Sequence, residues 1–340
     1  MKAAVFYGPN DLRLEKVPVP EIGENDVLLK VDMCGICGTD VHIFRGHFPA
    51  PNLPLIPGHE FVGHVVATGS NVDYVKADDY VTADINISCG HCYFCRRQQK
   101  LFCPQIRQIG VHMHGGLAEY VKVPAASIYQ VPAAFSPRQG AYIEPLACAV
   151  HGQNRANIRT GSSVAIIGGG PMGLAHIQLA KLKGAAPIIC TELNKTRLQK
   201  AREMGADAIV DAGETDAVEE VLRLTEGRGA DYVIEAVGSI HTYKQAFQMV
   251  RRGGTIVAYG AAPSTAALEL KPFDIYSKEL TIVGSYAGTY ETWPEAIALI
   301  QGGRFDPDKI ITQIAPLEEI VGALETAEKD KDVIKIQVQP

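Results

Sequence analysis

The stretch Val164-Ala165-Ile166-Ile167-Gly168-Gly169-Gly170-Pro171-Met172-Gly173 decides how the rest of the chain is to be read. Its apolar, mostly β-branched opening suits a strand buried on both faces. Gly168, Gly170 and Gly173 then follow in a G-x-G-x-x-G spacing, with Pro171 and Met172 between the last two, ahead of a helical run to about Lys183. In such a turn the first glycine permits a tight bend and the second lets the backbone approach a pyrophosphate. The third lets helix and strand pack closely, while free N–H groups and the helix dipole hold the phosphates. A second strand, Pro187–Thr191, ends at Glu192, placed to accept hydrogen bonds from the adenosine ribose. A carboxylate there repels a 2′-phosphate and favours NAD over NADP; Arg197, one helical turn on, reads as an adenine-side or surface residue.

Working outward, further strands are expected at Ala208–Val210, Tyr232–Ala236, Thr255–Tyr259 and Leu280–Val283, with helical patterns between the earlier ones. That alternation predicts an α/β domain with a doubly wound parallel sheet over residues 148–285. Upstream, to residue 147, short β-like runs such as Val27–Val31 and Phe61–Val66 are divided by Gly and Pro, as in a small β-rich domain. After Gly284 come helical patterns at Pro294–Gln301 and Leu317–Glu328 and a last strand, Val333–Val338. This strand has the texture of the first part, so residues 286–340 are expected to return to it.

The chain has 340 residues, enough for two domains, with 46% hydrophobic and 21% charged residues. Its net charge of -6 argues against nucleic acid as a partner, because phosphate binding needs a basic face. No apolar run is long enough to span a membrane, and Met1–Phe6 reads as a strand rather than a leader. A cytoplasmic location is therefore expected, in which the 8 cysteines stay reduced.

Grouped reduced cysteines read as metal ligands. Cys89, Cys92, Cys95 and Cys103 fall within one loop, about residues 86–104, and can close a tetrahedron around a structural zinc. An iron–sulfur cluster also uses four cysteines, but the compact spacing beside a nucleotide domain favours zinc. A sparser group comes from separate segments: Cys37, His59, Glu60 and Glu144. Thiolate, imidazole and carboxylate can hold a zinc while leaving one position open for catalysis. Each also has a structural reading: a buried thiol, a strand-end charge, a helix cap.

The motifs together resemble the zinc-containing medium-chain dehydrogenase/reductase family, most closely its polyol, sorbitol dehydrogenase-like branch. The likeness runs from Cys-Gly-x-Cys-Gly-Thr-Asp-x-His at Cys34–His42 through Gly58-His59-Glu60, the four-cysteine loop, Glu144-Pro145-Leu146 and the glycine turn to Thr292-Trp293-Pro294. The resemblance implies a GroES-like catalytic domain interrupted by a Rossmann NAD-binding domain, two zinc ions per chain, and a dimer or tetramer. It implies a catalytic zinc on Cys37 and His59, with Glu60 and Glu144 as third ligand or exchange partners. It also implies that Thr39 takes the alcohol proton and passes it toward the ribose, that His42 delivers it to solvent, and that a hydride goes to nicotinamide, leaving a ketone. Val237, Gly260 and Tyr286, after the ends of later strands, fall where cofactor gathers.

One departure bears on the substrate. Sorbitol dehydrogenases follow the last Rossmann strand with an Arg, whereas this chain has Gly284-Ser285-Tyr286-Ala287-Gly288-Thr289-Tyr290. Phe48-Pro49, Tyr286 and Tyr290 could then suit another sugar alcohol, a sugar acid, a vicinal diol or threonine. A 2,3-butanediol-type diol dehydrogenase and a threonine 3-dehydrogenase are the nearest alternatives, Glu144-Pro145-Leu146 counting against the latter. A zinc-free quinone reductase or an inactive zinc- and NAD-binding relative would have lost Cys37 or His59, and both are present.

Overall fold

The computed structural model describes residues 1–340, which divide into two compact units, Met1–Ala147 with Ala287–Pro340, and Cys148–Tyr286. In chain order the first unit supplies β1 (Lys2–Gly8), β2 (Asp11–Lys16), β3 (Asp26–Gly35), α1 (Gly38–Arg45), β4 (Glu60–Thr68) and β5 (Tyr80–Ala83). It continues with β6 (Asn86–Ile87), β7 (Arg107–Gln108), β8 (Tyr120–Pro124), β9 (Ile128–Gln130), α2 (Pro137–Ala141) and α3 (Ile143–Ala156), the helix in which the division falls. The second unit alternates β10 (Val164–Ile167), α4 (Pro171–Leu182), β11 (Ile188–Glu192), α5 (Lys195–Met204), β12 (Ala208–Asp211), α6 (Ala217–Leu224) and β13 (Ala230–Glu235). It ends with α7 (Ile240–Met249), β14 (Val250–Ala258), α8 (Pro272–Lys278) and β15 (Thr281–Gly284). The chain then adds α9 (Thr292–Gln301), β16 (Ile311–Pro316), α10 (Ile320–Lys329) and β17 (Lys335–Gln339).

In the second unit all six strands are parallel, in the order β12-β11-β10-β13-β14-β15, so the sheet reverses its winding between β10 and β13. β10 is buried along its whole length, as a central strand with helices on both faces must be. Ala165, Ile167, Ile189, Val233 and Ile256 share one core there. This is the doubly wound α/β domain expected from the sequence.

The first unit is β-rich, as expected. Its largest sheet runs β16-β17-β3-β4-β5-β9, with β8 also on β3. Val27, Leu29 and Val31 alternate inward along β3 and enter a core with Phe61, Val65, Ile336 and Val338. The C-terminal strand does return to this sheet: β17 lies antiparallel to β3, with Gln337 opposite Gly35 and Val338 opposite Cys34. Two details differ from the sequence reading. β16 is an unforeseen strand, short and closed by Pro316, and the expected helix at Leu317 opens as a tight 3-10 turn through Glu319 before α10 begins.

Candidate active site

β3 ends at Gly35, and two residues later Cys37 caps α1 from an extended backbone. Gly58, at φ +92, turns the chain so that His59 and Glu60 enter β4. A side chain at Gly58 would press on Leu117 and on the Cys34 sulfur. Glu60 faces Gly35 across the sheet, and a Cβ at Gly35 would fall 2.0 Å from Glu60 Oε2, so the missing side chain makes room for the carboxylate. These turns bring the ligand atoms of Cys37, His59 and Glu60 within 4.8 Å of one another, with His59 and Glu60 buried. Glu144, buried in the first turn of α3, is not within that group, although its charge helps raise the pKa of Lys335 beside Glu60.

Two charged residues support the cluster that sequence reasoning assigned no role. Asp40, almost wholly buried, accepts from the Cys37 N–H at 2.9 Å and the Gly58 N–H at 3.2 Å, and its Oδ1 lies 3.5 Å from His59 Nδ1. Burial works against a charged His59, but Asp40 and Cys37 outweigh it and raise the imidazole pKa well above its ordinary value. Lys335, from the far end of the chain, forms a buried ion pair with Glu60 Oε2 and donates to the Ile36 carbonyl at 2.9 Å. Asp40 stood in the quoted Cys34–His42 motif, whose spacing from Cys37 was its only signal; Lys335 had none. The donor set fits a zinc ion: a thiol, an imidazole and a carboxylate converge at a buried point, with Asp40 beside the imidazole and Lys335 beside the carboxylate. Thr39 and His42 follow at i and i+3 of α1 and so share a face. Partial burial, aided by His47, lowers the His42 pKa below its ordinary 6.5.

In the first unit's other cluster, Cys89, Cys92, Cys95 and Cys103 also lie within 4.8 Å of one another. Cys92 and Cys95 sulfurs are 3.5 Å apart and those of Cys89 and Cys95 3.9 Å, far beyond a disulfide. A tetrahedral zinc with sulfurs at about 2.3 Å has edges of about 3.8 Å, so the loop fits that ion. A hydrogen bond from Ser88 leads the effects that hold Cys95 down to about 6.

In the second unit Gly168 turns at φ +102, and a Cβ on Gly173 would fall 1.9 Å from the Gly168 carbonyl, which is why glycine stands at both. Gly170 is the residue before α4, and Pro171 occupies its first turn. Glu192 Oε2 accepts from the Gly169 N–H at 2.7 Å, while Oε1 accepts from Leu193 and Asn194. Arg197 lies against Gly169 and reaches toward Gly170, nearer the phosphate turn than its reading as a surface residue required. Exposed Val237 packs on Gly168 at the end of β13, and Gly260 closes on Gly238 after β14, their turns held by buried Glu235. Met172 sits in the first turn of α4, and Tyr286 is exposed at the end of this unit.

Residues 23–133 match the alcohol dehydrogenase GroES-like domain, and residues 171–302 match the zinc-binding dehydrogenase domain. D-arabinitol dehydrogenase 1 of Uromyces fabae is 37% identical over 343 residues, covering 100% of this chain and 97% of that protein. Sorbitol dehydrogenase of Bacillus subtilis (strain 168) is 34% identical over 348 residues, with 100% and 97% covered. Among solved structures, a zinc-binding dehydrogenase from Sinorhizobium meliloti 1021 bound to NADP superposes with a TM-score of 0.95 at 38% identity, covering 100% of this chain and 99% of that one. The chain therefore belongs to the zinc-containing medium-chain dehydrogenase/reductase family, in its polyol branch, and is an alcohol dehydrogenase dependent on zinc and NAD(P). No helix is long and apolar enough to cross a membrane.

Proposed function

We propose that the enzyme oxidises a secondary hydroxyl of a sugar alcohol, or of a related polyol or sugar acid, to a ketone. The observation that carries this reading is the buried convergence of Cys37, His59 and Glu60 at the foot of the helix bearing Thr39 and His42. When bound, zinc on Cys37, His59 and Glu60 would polarise the substrate oxygen and NAD would accept the hydride. Glu144 would serve as an exchange partner of Glu60, and Cys89, Cys92, Cys95 and Cys103 would hold a structural zinc.

The chain's own task is to orient the alcohol and remove its proton. Thr39 would accept that proton on its hydroxyl oxygen while releasing its own hydrogen toward the cofactor ribose, and His42, one turn further along α1, would deliver the relayed proton to solvent. His42 suits this because its ring reaches solvent while its partly buried setting favours the proton-accepting form. Asp40 holds the Cys37 and Gly58 backbones, and Lys335 balances Glu60, so the cluster keeps its geometry between turnovers. In the second unit Gly168, Gly170, Pro171, Met172 and Gly173 form the phosphate turn, with Val237, Gly260 and Tyr286 beyond it. Glu192 keeps NAD preferred, its charge beside Gly169 disfavouring a 2′-phosphate despite Arg197.

The test is a screen of NAD and NADP reduction over sugar alcohols, sugar acids, 2,3-butanediol and threonine. Fastest turnover is expected with NAD and a sugar alcohol or sugar acid. Preference for threonine or the simple diol would replace the substrate assignment, and preference for NADP would overturn the role of Glu192. Stripping zinc with a chelator should abolish turnover while binding of the reduced cofactor NADH, followed by its dihydronicotinamide fluorescence, persists.

A further inference from the structure

Lys100 stands between Cys95 and Cys103 in the short turn Lys100–Phe102, in a loop whose other side chains are mostly half-exposed or exposed. It is nonetheless only 2% exposed. A buried ammonium is costly unless it is paired, and an apolar side chain of similar volume would fill the space at less cost. Burial pulls the lysine's pKa down to about 7, so the ammonium form depends on its partners. Lys100 Nζ forms an ion pair with Asp84, itself buried, and lies 4.1 Å from the centroid of the Tyr290 ring.

Each partner leads to a turn of the first unit. Asp84 Oδ1 accepts from the Asn86 backbone and side chain, at 2.9 and 3.2 Å, and Asn86 Oδ1 accepts from Gln108 Nε2 at 2.8 Å. Gln108 opens a tight turn, its carbonyl accepting from the His112 N–H at 2.8 Å and its own N–H donating to His112 Nδ1 at 3.2 Å. That bond fixes His112 with its hydrogen on Nε2, a donor suited to a hydroxyl or carboxylate oxygen. The turn rests directly on the segment that delivers His59: the Gly116 N–H donates to the Gly58 carbonyl at 2.8 Å, and a Cβ on Gly110 would fall 2.5 Å from that oxygen. In the other direction, the Tyr290 carbonyl accepts from the Tyr129 hydroxyl at 3.3 Å, and Tyr129 stacks on buried Trp293.

We propose that Lys100 is a positioning residue through which the four-cysteine loop fixes the His112 and Tyr290 turns and thereby sets selectivity among alcohols. This rests on the functional reading above and adds that the His112 turn, which packs on Gly58 beside His59, and the Tyr290 turn wall the alcohol site. Selectivity then depends on the order of a loop that bears no reacting group.

The experiment uses the zinc-loaded enzyme with three variants: Lys100→Met, Lys100→Met with Asp84→Asn, and Tyr290→Leu. The double variant removes both charges and so avoids a lone buried carboxylate. With zinc content as in the wild type, it is expected to raise KM for the preferred sugar alcohol about tenfold, between the exposed and the fully desolvated range of a cation–π contact. That rise should exceed any fall in kcat and shrink the preference over 2,3-butanediol. Backbone amides of Thr289–Trp293 should exchange with deuterium faster, and Tyr290→Leu, at a ring that is 44% exposed, should reproduce both effects. Unchanged selectivity and unchanged exchange in the folded double variant, or wild-type behaviour of Tyr290→Leu, would overturn the proposal. If the wild type oxidises no polyol, the functional reading fails on its own. Exchange at Thr289–Trp293 then still decides the coupling: faster in the variants supports it, unchanged overturns it.

Discussion

Asp40 spends both carboxylate oxygens on the frame of the metal cluster, one on the Cys37 N–H and one on the Gly58 N–H beside His59 Nδ1. Asparagine in its place would keep the shape but lose the charge that favours a cation and an oriented imidazole. Asp40→Asn is therefore expected to weaken zinc at the cluster by about 10- to 100-fold, the usual effect of removing a residue that orients a ligand. Competition with a colorimetric chelator measures this, and equal weakening of the four-cysteine zinc would show a general loss of fold instead. His42 makes a different prediction, about pH. Partial burial and His47 lower its pKa below the ordinary 6.5, and it accepts a proton only while neutral. Turnover should then be flat at neutral pH and fall as pH drops through a value below 6.5. His42→Asn should lower kcat about a hundredfold, near the lower end for a positioned proton carrier, and abolish that acid limb. An unaltered acid limb in the variant would assign the titration to another group.

At the level of elements, the two cysteine clusters sit in unlike settings. Cys37 caps a regular helix just beyond the end of β3, whereas the four-cysteine loop contains only short 3-10 turns. Cys37→Ser is accordingly expected to remove turnover with little change in melting temperature. Cys103→Ser should lower the melting temperature by about 5–10 °C, as a loss of a few kcal/mol would in a chain of this size. Parallel calorimetry and rate measurements test the contrast; equal melting shifts would end the division of roles. The same contrast explains what could be read in advance. The glycine turn was legible because its residues act through backbone shape, so that Gly168 and Gly173 encode their contacts locally. The four cysteines were legible from spacing within one loop. The Lys335–Glu60 and Lys100–Asp84 pairs were not, because each lysine looks like an ordinary surface residue until a distant strand buries it. β16 was hidden for a related reason: it is short and half-exposed, and its place comes from pairing with β17.

For the whole molecule, the strand order of the second unit leaves β15 at a sheet edge with no neighbour beyond it in this chain. The strand is largely exposed, Ile282 is 44% exposed, and Phe273 and Tyr276 stand out on α8 just before it. An open edge with apolar side chains invites pairing with another chain. A two-fold axis beside β15 would set it against its own copy and extend the six-stranded sheet across two protomers, the commonest way for identical chains to close an assembly. Such pairing satisfies the free backbone groups of the edge and covers Ile282 together. A dimer, or a tetramer built from it, is the state expected in solution. Ile282→Lys places a charge where the copies would meet, a device by which natural sheets keep their edges apart. Light scattering after size exclusion should give a multiple of the chain mass for the wild type and a smaller species for the variant. Turnover of that smaller species would then show whether one chain suffices for catalysis, and an unchanged mass would place the contact between copies elsewhere than β15.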